Sequence, residues 1–324
     1  MIRILEDNEI RMIVDRREAV EVIEHAYREA ATGAARVSQP SAMLLKGPAE
    51  AGTSFKIKGA ILEDLDVVGF RCVGDLRDGA DGGSYVILFK AGEAQLTALV
   101  AEKWLHRLRT AATGLVTCRA LCPSGAKRLA LIGTGQIAEE FVKIIDLALP
   151  GLEVVIASRT AVRAADVARA WQSFTTNELS AAPSIPDAVR GADIVVTLSD
   201  ANERLFSASD LKSRSLVCAM GGRHEFDADV LRSAANFVVD EMDWVCTVGN
   251  GAHWIKSGQV TRAELEKSIS GTIGEVLTGQ KVLTKDGVVL AIVQGIAICD
   301  VALAHRALEN AIARTQQDIK QQTS

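Results

Sequence analysis

One stretch constrains this chain more than any other. A short apolar run, Arg128–Ile132, ends in Gly133-Thr134-Gly135-Gln136-Ile137-Ala138 and passes directly into the helical pattern QIAEEFVKIIDLAL. An apolar run of this length, bounded by a glycine turn, reads as a strand buried on both faces. Gly133 permits the tight turn, and Ala138 is small enough for the helix to lie close to the strand. The alternation continues with LEVVIASR as a strand, AVRAADVARAW as a helix, and ADIVVTLS and SLVCAMGG as further strands. Strands alternating with helices predict a parallel sheet covered on both sides. The fold class is therefore α/β, with a Rossmann-type doubly wound domain over residues 123–295.

A GxGxxA turn between a strand and a helix predicts a dinucleotide site. Gly135 has no Cβ, so a pyrophosphate can approach the backbone, and the free N–H groups of the helix N-terminus face its charge. The expected cofactor contacts are Gly133, Thr134, Gly135, Gln136 and Ile137, with Thr197, Met220 and Gly221 at the ends of later strands. The end of the second strand bears on the choice of dinucleotide. An NAD site usually has an acid there for the ribose 2′-hydroxyl. This chain has Ser158, Arg159 and Thr160, and an arginine fork with two hydroxyls suits a 2′-phosphate. NADP(H) is the preferred reading, with NAD(H) possible.

Residues 1–122 follow another pattern. Asp15 to Gly33 reads as a capped amphipathic helix. SFKIKGAIL, VVGFRCVG and SYVILF read as strands of a mostly antiparallel sheet, separated by turn material at 75–83. Residues 96–121 read as helical, and Cys122-Pro123-Ser124-Gly125 must end that helix. Near the C-terminus, VVLAIVQGIAICDVALAHRALENAIA reads as one long helix, with 296–324 crossing back to pack on the first domain.

Composition narrows the function classes. Of 324 residues, 36 are Lys or Arg and 41 Asp or Glu, a net charge of −5, so a basic nucleic-acid footprint is absent. No apolar run approaches the roughly 18 residues of a membrane span. The N-terminus MIRILEDNEI carries acids where a secretory signal needs basic residues. The expectation is a soluble cytoplasmic protein. Its six cysteines are scattered without a C-x-x-C pair, so no metal site or disulfide is expected.

Several segments together resemble the ornithine cyclodeaminase and mu-crystallin family. They are Arg109-Thr110-Ala111-Ala112, the SYVILF strand, LALIGTGQIA, ADIVVT, and GIAICDVALA with Gly295 and Asp300. The resemblance implies a homodimer whose first, α+β domain is non-contiguous and serves substrate binding and dimerisation. It also implies a nicotinamide cofactor, an α-amino or α-imino acid substrate, and hydride transfer at the α-carbon. Family members include cyclodeaminases, amino-acid dehydrogenases, cyclic-imine reductases and a thyroid-hormone-binding protein. The chain departs from the family at four places. Arg71 stands where a substrate-contacting lysine is usual. Residues 221–227 lack a Pro-Gly turn and the aspartate that handles protons in cyclodeaminases. The usual serine before Gly295 is missing, and the loop before SYVILF is short.

A small amino or imino acid must be held by its carboxylate, and the planar arginine fork fits that task. Arg109 and Arg71 are the candidates for it. Lys58 is expected to bind substrate charge or carry a proton. His224 is a second candidate for acid–base work, and His106, three residues before Arg109, a third. Trp244, His253 and Trp254 read mainly as helix packing. The expected function is an NADP(H)-dependent oxidoreductase of an α-imino or α-amino acid. The alternatives are an ornithine cyclodeaminase with bound NAD and a non-catalytic NADP-linked binding protein.

Overall fold

The computed structural model describes residues 2–76, 81–284 and 286–322. The chain divides into two compact units, Met1–Arg109 with Ile296–Ser324, and Thr110–Gly295. The first break falls inside the helix Lys103–Leu121, upstream of the expected boundary at Pro123. Part of the expected turn at 75–83, residues 77–80, lies outside the described residues, as do 323–324 of the expected C-terminal helix.

The first unit holds a seven-stranded sheet. Its strands are β1 (Arg3–Leu5), β2 (Ala35–Val37), β3 (Met43–Lys46), β4 (Ser54–Leu62), β5 (Val67–Asp75), β6 (Asp81–Lys90) and β7 (Gln95–Ala101), in the order β1-β7-β6-β5-β4-β2 with β3 also on β4. All pairings are antiparallel except β1 on β7. The helix Arg16–Thr32 begins at Asp15, whose carboxylate accepts from the backbone N–H groups of Arg17 and Glu18, and ends at left-handed Gly33. The helix Ala297–Gln322 lies on β4, β5 and β6. Gly69 makes that approach possible, since a Cβ there would lie 2.7 Å from the Val301 side chain.

The second unit is a fully parallel eight-stranded sheet. Its strands are β8 (Arg128–Ile132), β9 (Glu153–Ala157), β10 (Glu178–Ala181), β11 (Ile194–Thr197), β12 (Leu216–Ala219), β13 (Ala234–Val239), β14 (Gly271–Thr272) and β15 (Val288–Ile292). They run in the order β10-β9-β8-β11-β12-β15-β13-β14. The chain leaves β8 for β9 on one side and later returns to β11 on the other. That reversal opens a crevice at the carboxyl ends of β8 and β11, the usual ligand position in such sheets. Every residue of β11 and β12 is buried, as both-face coverage requires.

Two segments differ from their sequence reading. Gln95–Ala101 is a strand, not the start of the helix, because it pairs on both sides, with β6 and β1. Val288–Ile292 is likewise a strand, between β12 and β13, and the C-terminal helix starts only at Ala297. A continuous apolar run has no period that separates a central strand from a buried helix. The break after it is Gly295, in the left-handed region at φ +81°, with its N–H donating to Asp240 at 2.6 Å.

Candidate functional site

In the second unit the glycine turn forms the floor of the crevice. Gly133 has φ +134°, and a Cβ there would lie 2.3 Å from the Leu198 carbonyl oxygen. Only glycine fits both the conformation and the contact. Gly135 is the opposite case. It caps the helix Gln136–Ile144 with no side-chain partner for the first N–H groups, and a Cβ there would meet nothing within 4 Å. Open space in front of unsatisfied helix donors is what an anionic pyrophosphate needs. Gly133, Thr134, Gly135, Ser158 and Arg159 line this cavity together with residues 198–203 and Leu205. No acidic side chain ends β9. Arg159 is exposed and has no ion pair among the described residues. Ser158 Oγ donates to the Thr160 carbonyl at 2.9 Å, and Thr160 Oγ accepts from Arg163 N, capping the next helix. Both hydroxyls therefore shape the turn that presents Arg159.

Thr197 and Met220 require correction as cofactor contacts. Thr197 is fully buried, and its hydroxyl donates to Glu225 Oε2 at 2.6 Å. Met220 is nearly buried beside Gly114, where a Cβ would lie 2.5 Å from its Sδ. These two side chains support the strand ends. Glu225 organises the region and has no sequence motif to reveal it. It also accepts from Ser199 Oγ at 2.6 Å, and a Cβ on Gly221 would lie 2.4 Å from its carboxyl carbon. Burial raises its pKa, against the bonds from Ser199 and Thr197.

His224 also belongs to this second unit, not to the one that holds Lys58. Its ring stacks on His253 with centroids 3.7 Å apart and planes 12° from parallel, and its Nε2 lies 3.2 Å from Asp227 Oδ1. Near-parallel rings cannot point two in-plane lone pairs at one ion, so the trio is poorly built for a metal. Burial and the neighbouring His224 lower the His253 pKa. With one face and Nε2 occupied, His224 is a packing residue rather than the expected acid–base group. Trp254 is fully buried and donates to the Phe226 carbonyl at 2.8 Å, a core role.

The first unit gathers the remaining candidates. Lys58 on β4 stands opposite Arg71 on β5. Arg71 Nε donates to Glu102 Oε2 at 2.8 Å, its Nη2 lies 2.6 Å from Oε1, and its Nε lies 3.7 Å from Asp300 Oδ1. Arg109 Nε donates to Asp300 Oδ1 at 2.6 Å. All five side chains are at least nine-tenths buried. Arg71 was expected to grip a carboxylate, but the fork is already closed on Glu102. Arg109 differs, because its Nη1 is buried and meets no hydrogen-bond partner among the described residues. An orphaned guanidinium donor is costly unless something arrives to accept from it.

His106 Nδ1 lies 2.8 Å from Arg109 Nη2 and 3.4 Å from Arg71 Nη2. Guanidinium nitrogens only donate, so Nδ1 accepts and the ring proton sits on Nε2. Burial and the surrounding cations Arg109, Arg71, Lys58 and Lys56 hold the His106 pKa well below 6.5, so the ring is neutral. Burial also pushes the Lys58 ammonium down to about 7, opposed by Asp300 and reinforced by Arg109 and Arg71. For Arg71, Asp300 and Glu102 outweigh burial and raise the pKa. Glu102, His106 and Asp300 place ligand atoms within 4.8 Å of one another, but the two guanidinium groups already occupy that space with positive charge. Glu102 carried no sequence signal. Asp300 stood out only through the GIAICDVALA stretch.

A doubly wound nucleotide-binding unit and a buried arginine–carboxylate cluster define an oxidoreductase-like class of fold and site. The chain matches the ornithine cyclodeaminase/mu-crystallin family over residues 1–315, and it belongs to that family. It is 27% identical to an iminosuccinate reductase of Paracoccus denitrificans, over 70% of each chain. It is 25% identical to a Δ1-pyrroline-2-carboxylate reductase of Bacillus cereus, over 95% of this chain and 96% of that one. Among solved structures it resembles the Thermococcus litoralis Δ1-pyrroline-2-carboxylate reductase in complex with NADH and L-proline. The TM-score is 0.86 at 18% identity, covering 97% and 98% of the two chains. That likeness establishes the fold.

Proposed function

We propose that this protein is an NADP(H)-dependent reductase of an α-imino acid, or the corresponding amino-acid dehydrogenase. The observation that carries the reading is the buried, unsatisfied Nη1 of Arg109 beside Lys58 and neutral His106. The bound nicotinamide supplies the hydride, which adds to the C=N carbon and leaves an amine. Arg109 Nη1 holds the substrate carboxylate, and Asp300 fixes the guanidinium plane through Nε. Lys58, poised near neutrality, holds the proton that the substrate nitrogen takes up. His106 offers its Nε2 proton as a neutral donor. NADPH oxidation against cyclic and acyclic α-imino acids is the direct test. Turnover of at least one is expected, and none across the panel counts against the reading.

The preference for NADP(H) rests on Arg159, unpaired at the mouth of the crevice, and on the lack of an acid at the end of β9. Exchanging Arg159 for Asp is expected to raise KM for NADPH at least tenfold and to lower that for NADH. A variant with unchanged cofactor preference would remove Arg159 from the site.

A homodimer is part of the same proposal. Met43, Leu44, Leu45 and Phe55 on β3 and β4 are each about half exposed or more. An apolar edge strand of this kind is normally covered by a partner. A cytoplasmic location fits six cysteines that are all free thiols. Among the described residues no helix is long and apolar enough to cross a membrane.

A further inference from the structure

The charges in the cluster do not balance. Four cationic side chains, Lys56, Lys58, Arg71 and Arg109, share it with two carboxylates, Glu102 and Asp300. Glu102 closes on Arg71, and Asp300 on Arg109. Lys56 and Lys58 are two residues apart on β4 and so share a face of the sheet. Lys56 is half-buried and makes no ion pair or hydrogen bond with any described residue. Its pKa is lowered by burial and by Arg71, with Asp75 and Asp300 opposing. One substrate carboxylate on Arg109 leaves Lys56 unanswered.

We propose that the substrate carries a second carboxylate, seated beside Lys56, and is a dicarboxylic α-imino acid. This rests on the reductase reading above and narrows it. A neutral side chain would leave a half-buried ammonium without a counter-charge. A basic side chain, as in a diamino acid, would add repulsion from both lysines. Hydride addition converts the C=N carbon to CH–NH, with one proton taken up at nitrogen and the cofactor oxidised. Neither carboxylate changes.

The test compares the full-length protein on imines formed from 2-oxoglutarate or oxaloacetate with ammonia against those from pyruvate with ammonia and a neutral cyclic imino acid. The dicarboxylic substrates are expected to have kcat/KM at least tenfold higher. In K56Q that preference should fall tenfold or more, mainly through KM, about 1.4 kcal/mol. K56R should keep it. A parallel thermal-shift series with NADPH compares aspartate and glutamate against alanine and proline. Turnover with equal or greater preference for neutral or basic imines overturns the inference, as does a K56Q loss shared equally by all substrates. No turnover at all defeats the reductase reading. Lys56-dependent protection by the dicarboxylates would still support recognition of a second acid, and its absence would end that too.

Discussion

Arg109→Ala is expected to lower kcat/KM toward any α-imino acid about a thousandfold. Two costs combine. The charge-assisted bond to the substrate carboxylate disappears, and that carboxylate must enter a buried site without its partner. Together they amount to roughly 4 kcal/mol, and each 1.36 kcal/mol is tenfold in rate. A confounding effect on folding has to be removed. Arg109 is the nearest cation to Asp300, at 2.6 Å against 3.7 Å for Arg71. Deleting it strands a buried carboxylate, which typically costs about 3–5 kcal/mol of stability. The double variant R109M/D300N removes both charges and should recover much of the thermal stability lost in R109A. Its kcat/KM should stay low. Recovery of activity alongside stability would mean that Arg109 only holds Asp300 in place.

The second unit is more legible in the sequence than the first, for a physical reason. A strand–glycine–helix turn is a local object, and its demands on Gly133, Gly135 and Ala138 fall within six residues. The cluster around Arg109 is not local. Asp300 reaches Arg109 across 191 positions of chain, and Glu102 reaches Arg71 across 31. An isolated Glu in a sequence cannot announce which arginine it will neutralise. Arg71 therefore reads as a substrate contact until Glu102 is seen closed upon it. Val288–Ile292 fails for a related reason, because its identity as a strand depends on neighbours contributed by β12 and β13. His106 shares a helix turn with Arg109, and that local spacing is visible. What fixes its tautomer is the pair of guanidinium groups, which the spacing alone does not supply. Lys56 lies on the same strand face as Lys58, yet it gains meaning only when the two carboxylates prove to be spoken for.

Lys58→Met should produce opposite changes in activity and stability. Loss of the proton carrier is expected to lower kcat by about a hundredfold to ten-thousandfold. In the wild type, kcat/KM should fall as pH rises through about 7, where the buried ammonium gives up its proton. K58M should lack that limb. K58R, which keeps the charge but cannot release a proton, should restore KM more than kcat. The stability effect has the reverse direction. Lys58 titrates near 7 when folded and near 10.4 when unfolded. Between those values the unfolded chain binds more protons, so the contribution of this site to stability rises with pH across that window. Below about 7 both states are protonated, and the full penalty of a buried charge is present. K58M abolishes that penalty and should therefore raise Tm at pH 6 more than at pH 10. A lysine that served only as a structural ion-pair partner would give the opposite sign, with K58M less stable at pH 6.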